Sequence, residues 1–551
     1  MPTFDWIGKK AVLNHHNEVP FHLLRCNPDL SVGEANGNML VQGDNLLALK
    51  ALLPYYTGQV KCVYIDPPYN TGNEEWVYND NVNSPEIREW LGKVVGSESE
   101  DLSRHDKWLC MMYPRLTLLK EFLQPDGVIL ISIDENEFAT LHLLVDEIFG
   151  RTNFVGSIVW KNVTDNNPTN ISVEHEYVLC YAKDKGKLES VWKATAIPIK
   201  DTLINLAEEL KEKTPNLSER QKFYTEWFRE NKAFMWPFDR YKYIDDGGIF
   251  TGSQSVHNPG KEGYRYDVIH PTTGKPCQQP LMGYRFPEDT MKRLLGEGKI
   301  LFGEDETKII ELKLYVQDYK AKLSSIFEMD TRLGANELRR IFPEEKRVFG
   351  FSKPSDFISE LLSFTTTQNS LILDSFAGSG TTGHAVLKLN KQDGGNRRFI
   401  LIEMDPNIAR NINAIRLRRV IDGYDKIPGL GGGFNFCELG QTLFDSTGQI
   451  RKDVSFVDLA RHIFFAETGL PLPSEKEENA LLGLFNNTAI FLLYNGVMRD
   501  AGNVLTPETL NRLPQYDGPK VIYADGCKIG RERLREMNIT FKQIPYEIKV
   551  R

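Results

Sequence analysis

Three short apolar runs mark the first third of the chain: Met39-Leu40-Val41, Val60 to Ile65 and Val128 to Ile133. Each predicts a buried strand. Helical spacing of apolar residues follows over roughly Asn45 to Leu53, Lys107 to Leu123 and Asn136 to Phe149. Pro125-Asp126-Gly127 predicts a turn ahead of the third strand. Strands alternating with helices imply a parallel sheet covered by helices. A second unit of this kind begins near Ser370. It has a strand at Leu371-Ile372-Leu373, a loop of small residues from Phe376 to Thr382, a helix from Gly383 to Leu389 and a strand at Arg398 to Ile402. The two α/β parts are expected to complete one sheet.

The pattern changes over residues 187–341, where charge, aromatics, Gly and Pro are frequent and periodicity is irregular. This predicts an inserted domain between two halves, 1–186 and 342–430. Gly429-Leu430-Gly431-Gly432-Gly433 predicts a boundary, leaving 431–551 as a small α/β domain with strands near Ala489 to Leu493 and Lys520 to Tyr523. Two readings of that tail stay open: assembly or partner docking, and a plain stabilising extension.

At 551 residues the chain has room for two to four domains. No run of about 18 apolar residues suggests a membrane span. Met1 to Trp6 lacks a secretory pattern, and seven scattered cysteines without a Cys-x-x-Cys pair argue against a disulfide framework or structural zinc. A cytoplasmic protein is expected. The net charge of −9 leaves nucleic-acid binding to local patches, such as Arg339-Arg340 with Lys346-Arg347, or Arg416 with Arg418-Arg419. Solvated helix faces explain these clusters equally simply.

Asp66-Pro67-Pro68-Tyr69 directly follows the second strand. Open α/β sheets place their ligands at such strand ends. An exocyclic amino group is a weak nucleophile because its lone pair is delocalised. The Asp66 carboxylate and the Pro67 carbonyl can accept its two hydrogens and aim the lone pair at an electrophilic methyl group. Pro67 and Pro68 stiffen the turn, and Tyr69 offers a face for an extruded base. The plain alternative is a rigid turn with an exposed aromatic.

Asp374-Ser375-Phe376-Ala377-Gly378-Ser379-Gly380-Thr381-Thr382 lies between a strand and a helix, and its glycines permit close backbone approach. It lacks the G-x-G-x-x-G spacing. Its N–H groups and Asp374 suit an amino-acid moiety, and Glu403, ending the next strand, suits a ribose diol. Another kind of nucleotide-binding unit remains open here. Asp44 ends the first strand, where it can face a cofactor or cap the next helix. Phe351-Ser352-Lys353-Pro354 is either a cofactor wrap or a linker turn.

The tetrapeptide together with the D-x-F-x-G-S-G-T-T loop resembles the amino-methyltransferases of bacterial restriction–modification systems. The motif order, with an insert between, is similar to the β class. Gly43-Asp44-Asn45, Tyr69 to Gly72, Trp108 to Pro114, Phe351 to Pro354 and Phe541 to Glu547 resemble the Mod subunits of type III systems. The resemblance implies a Rossmann-like sheet dependent on S-adenosylmethionine, with 187–341 as a target recognition domain. It implies catalytic roles for Asp66, Pro67, Pro68 and Tyr69. Cofactor contacts are implied for Asp44, Asp66, Lys353, Asp374, Phe376, Gly378, Gly380, Thr381 and Glu403, with no metal. Aspartate in the tetrapeptide favours N6 of a flipped-out adenine in double-stranded DNA over N4 of cytosine. A homodimer and a Res-type helicase–nuclease partner are implied as well. A stand-alone methyltransferase, a specificity subunit that chiefly recruits a nuclease, and an RNA enzyme remain alternatives. The aromatics Trp227, Phe234, Trp236, Phe238 and Tyr241 can stack on bases, or form a small domain's core. His175-Glu176-Tyr177 receives no role, since a strand end accounts for it.

Overall fold

A computed structural model describes residues 4–71, 100–162, 170–192, 194, 198–231, 235, 238–258, 260–319, 322–345, 348–473, 480–496 and 501–544. Gly72, Phe234, Trp236, Lys346, Arg347 and Pro545 to Glu547 lie outside them. The chain divides into two compact units, Met1–Thr195 with Leu323–Arg551, and Ala196–Lys322.

A ten-stranded sheet organises the first unit. Its middle is parallel and runs Gly433–Thr442, Met39–Gln42, Arg398–Glu403, Leu371–Asp374, Val60–Ile65, Leu123–Ile133. His22–Gly33 adds antiparallel at one edge. At the other edge come His175–Ala182, Phe154–Lys161 and the short Ile326–Glu328. The two α/β parts thus interleave: Arg398–Glu403 and Leu371–Asp374 sit between strands of the first third. Parallel strands buried on both faces require near-continuous apolar sequence, and Ile372, Leu373, Ile400, Leu401, Val63 and Ile65 are fully buried. Helix Glu100–Phe122 covers the sheet with Trp108, Met112, Leu116 and Leu119, spaced three to four residues apart on one face and all buried.

The glycine-rich segment after Pro428 does not take the chain out of this sheet. It feeds strand Gly433–Thr442, which separates His22–Gly33 from Met39–Gln42. A Cβ on Gly433 would lie 2.2 Å from the Val32 carbonyl, so this close pairing needs glycine. Buried Asn38 ties three strands: its Nδ2 donates to the Gly433 carbonyl at 2.9 Å, and its Oδ1 accepts from the Phe399 N–H at 2.9 Å. The turn expected at Pro125-Asp126-Gly127 is instead part of strand Leu123–Ile133. A register shift opposite Val60/Cys62 absorbs the irregularity, and the Lys61 ammonium holds Asp126 at 2.6 Å.

The cysteine reading needs one correction. Cys26 and Cys437 face each other across the His22–Gly33/Gly433–Thr442 pair and form a disulfide. The partners are 411 residues apart in sequence, so no local spacing announces them.

Beyond the large sheet, helix Phe456–Thr468 leads to a four-stranded sheet ordered Leu481–Phe485, Thr488–Leu492, Lys520–Ala524, Ile539–Gln543. The second unit carries helices Pro198–Lys213 and Leu217–Asn231 and its own antiparallel sheet, ordered Tyr243–Asp245, Gly248–Ser253, Glu311–Tyr315, Ile300–Leu301. Phe238 and Tyr241 are buried in its core, with Trp227 packed against them. Among the described residues no helix is long and apolar enough to cross a membrane.

Candidate active site

Four acidic residues from two distant regions of the sequence line up at the carboxyl ends of adjacent strands. Asp44, Glu403, Asp374 and Asp66 end or follow four adjacent parallel strands. Parallel pairing makes this happen, because it brings every carboxyl end to the same side.

At Asp66 the chain turns out of the sheet. Trp108 Nε1 donates to the Pro68 carbonyl at 2.7 Å. Asn70 leaves the turn with φ +61 and is fully buried, its amide bonded to Glu137. The tetrapeptide is therefore pinned on both sides. The Tyr69 hydroxyl lies 2.8 Å from Asp66 Oδ1 and 2.8 Å from Glu176 Oε2. Burial, then the Asp66 and Glu176 charges, push its pKa well above the ordinary tyrosine value.

Lys353 reaches this cluster from far along the chain. Its ammonium donates to both Asp66 oxygens at 2.9 Å and to the Tyr69 hydroxyl at 2.8 Å, and lies 3.3 Å from Glu176 Oε2. It also sits over the rings of Tyr69 and Trp160. Burial lowers the pKa of an ammonium, but here the two carboxylates outweigh it and hold Lys353 above its ordinary value. The Phe351–Pro354 segment thus brings its lysine to the tetrapeptide.

Glu176 is the residue that sequence reasoning missed. It lies near the start of strand His175–Ala182, the antiparallel neighbour of Leu123–Ile133. Its Oε1 accepts from Asn162 Nδ2 at 2.6 Å, which fixes the carboxylate from behind. The available signal was a carboxylate opening an otherwise apolar strand.

The glycine loop is wound onto the sheet. Asp374 Oδ1 accepts from the Phe376 N–H at 3.0 Å, and Oδ2 accepts from the Thr382 hydroxyl at 2.5 Å. Ala377 N–H donates to the Ile402 carbonyl, Gly378 N–H to Glu403 Oε2 at 2.9 Å, and Gly380 N–H to the Ala377 carbonyl. At those four positions the donors are already used, so the loop is not the open row of N–H groups expected from its glycines. Gly378 and Gly380 have φ +50 and +82. A Cβ on Gly380 would lie 2.3 Å from Asn413 Oδ1. Desolvation raises both Asp374 and Glu403 to pKa values of about 7.

Asp44 does cap a helix, accepting from the N–H groups of Leu46 and Leu47. Its second oxygen lies 3.4 Å from Arg115, whose guanidinium is buried. Arg416 is likewise buried, which corrects the solvated-face reading for this residue, whereas Arg418 of the same cluster is exposed. Its Nη1 donates to Ser379 Oγ at 3.0 Å and Thr381 Oγ1 at 2.8 Å, and its Nη2 pairs with Glu337 at 2.7 Å. It braces the glycine loop from behind.

A carboxylate beside a stackable aromatic, next to two desolvated carboxyls and a tight glycine loop, can grip a polar cationic cofactor and an amino-bearing base together. Residues 60–414 match the family model described as DNA methylase. The EcoP15I Mod subunit of the type III restriction-modification enzyme from Escherichia coli is 49% identical, covering 85% of this chain and 75% of that one. The EcoPI Mod subunit of Escherichia phage P1 is 32% identical, again over 85% of this chain and 75% of that one. Among solved structures, the cytosine-N4-specific PvuII DNA methyltransferase aligns at 12% identity and a TM-score of 0.30, covering 70% of this chain and 89% of that one. By the extent of the family match and by its likeness to the Mod subunits, the chain belongs to the DNA methylase family and is a DNA methyltransferase of the type III Mod kind.

Proposed function

We propose that the chain methylates N6 of an adenine in double-stranded DNA, using S-adenosylmethionine. The observation that carries this is Asp66 with Tyr69 at a strand end, two strands from Glu403 and beside Asp374. Aspartate rather than serine at the head of the tetrapeptide supports adenine as the target.

The donor set fits the cofactor. Asp374 and Glu403 are desolvated carboxyls with pKa values of about 7, and a bound cation with a ribose diol offsets that cost. Each carboxylate has about four acceptor positions. The protein bonds described above leave some of them for a ligand. Phe376, Gly378, Gly380 and Thr381 shape the cradle, with Asp44 capping its far side. Bound there, S-adenosylmethionine would supply an electrophilic methyl carbon, with its sulfur as the leaving group that would take the bonding pair.

The protein's part is positioning. A stacked adenine cannot present its amino group, so the base must leave the helix. Tyr69 then offers its ring for stacking. Asp66 accepts one N6 hydrogen and the Pro67 carbonyl the other, which turns the nitrogen lone pair towards the methyl carbon. When the N–C bond has formed, the nitrogen is cationic and sheds a proton to Asp66 and onward to water.

The likeness to Mod subunits supports a modification subunit, and the homodimer and the Res-type helicase–nuclease partner belong to the same proposal. The unit Ala196–Lys322 is the candidate for base reading, and the small C-terminal sheet for assembly or partner docking. The test is to purify the chain, supply S-adenosylmethionine and duplex DNA, and sequence the modified bases. N6-methyladenine at one recurrent sequence is expected. N4-methylcytosine, or methylation of RNA in preference to DNA, would overturn the adenine–DNA reading.

A further inference from the structure

Asp66 is not waiting with open acceptors. The Lys353 ammonium lies at 2.9 Å from both of its oxygens, straddling the carboxylate. An amino nitrogen of a base bound at Asp66 would occupy much the same place. The same ammonium covers one face of the Tyr69 ring, 4.9 Å from its centroid. Lysine therefore stands where an amine bound to both Asp66 oxygens would lie.

A second berth for that ammonium is built nearby. Glu176 Oε2 is 3.3 Å from Lys353 Nζ, and Asn162 holds the other oxygen at 2.6 Å. The Tyr69 hydroxyl has a single proton and lies 2.8 Å from both Asp66 Oδ1 and Glu176 Oε2. It can donate to only one at a time. When Lys353 rests on Asp66, the hydroxyl proton is best given to Glu176. When Lys353 moves to Glu176, the proton turns to Asp66 and leaves Asp66 Oδ2 open. Two carboxylates, one ammonium and one hydroxyl thus form a pair of alternative arrangements, each with its donors satisfied.

We infer that Glu176 is a positioning residue: it receives the Lys353 ammonium when the target base enters, and so frees Asp66 to hold the amino group. The inference rests on the proposed base-methylating reading of the site. The buried ammonium is tolerated because carboxylates lie on both sides of it, Asp66 at 2.9 Å and Glu176 at 3.3 Å. The ammonium never has to be left unpaired in a desolvated pocket, which would cost far more than the exchange. Glu176 touches neither the base nor the methyl group in this scheme.

The test is a double-mutant cycle on the full chain with Glu176→Gln, Lys353→Met and both together. Single-turnover methylation of DNA is read alongside calorimetry of S-adenosylmethionine binding and thermal melting. Glu176→Gln is expected to slow methyl transfer about 10- to 100-fold, the scale of misplacement at a reacting centre, while cofactor affinity stays within about twofold. In the Lys353→Met background the same substitution is expected to add no more than about twofold, because its effect runs through the lysine. Glu176→Asp keeps the charge and should recover part of the rate. Multiplying effects in the double variant would overturn the hand-over, as would an aspartate variant no faster than glutamine. A rate loss matched by lost cofactor affinity and melting temperature would reduce Glu176 to a structural role and also overturn it. A wild-type chain that binds cofactor yet methylates no DNA would instead overturn the parent reading.

Discussion

In the proposed reading single residues at strand ends carry the chemistry, and their environments make distinct predictions. Asp66→Ala removes the acceptor for the amino group while leaving the glycine loop untouched. Methylation is expected to fall below detection with cofactor affinity largely kept, and near-normal turnover would contradict the role. Asp374 and Glu403 behave differently, because burial raises both to about 7. The sign follows from the raised values. In the free protein these groups are increasingly protonated below about pH 7, and a cationic ligand favours their ionised forms. Cofactor affinity should therefore drop between pH 8 and pH 6, with proton release seen as a buffer-dependent binding enthalpy. Asp374→Asn and Glu403→Gln should flatten that profile. For stability the sign is opposite: a carboxyl with a raised folded pKa favours the fold below its unfolded value of about 4 and loses that contribution as pH rises through 7. Free protein should thus gain the most from cofactor above pH 7.

Elements hold these residues in register, and the buried arginine behind the glycine loop is the clearest case. Arg416 comes from helix Ala414–Asp422 and links the loop, the Ser352 turn and Glu337 of helix Arg332–Ile341. Its side chain is fully buried, while that of Glu337 is 19% exposed. Removing one member of a buried pair costs about 3–5 kcal/mol. The partial exposure of Glu337 lets its carboxylate rehydrate, so Arg416→Ala should lie near the lower end. Denaturant unfolding would measure this, with Arg340→Ala as the control. Arg340 pairs with Asp425 at the surface, and such pairs contribute within about 1 kcal/mol. Loss of cofactor affinity should accompany the Arg416 change and not the control.

At the scale of the whole molecule, one unit holds the candidate site and the other, Ala196–Lys322, folds around its own core. Exchanging residues 196–322 for the matching segment of a relative that methylates a different sequence should change the methylated sequence while methyl transfer persists. Sequencing of modified bases would show it, and an unchanged target would place recognition elsewhere. Five adjacent strands of the large sheet, the two motifs and the acid at each of four strand ends were legible from sequence, because apolar runs, turn residues and local spacing are short-range properties. Asp66, Asp374 and Glu403 could be named for that reason. Tertiary structure alone decided what long-range pairing controls. It set Gly433–Thr442 into the large sheet despite a glycine-rich boundary, and it joined Cys26 to Cys437. It buried Arg416 where a basic helix face was equally readable. It carried Lys353 across 287 residues onto Asp66, and brought Glu176 to the same ammonium from another strand. The nature of each acid is written locally. Which cation it meets depends on the order in which distant strands pair.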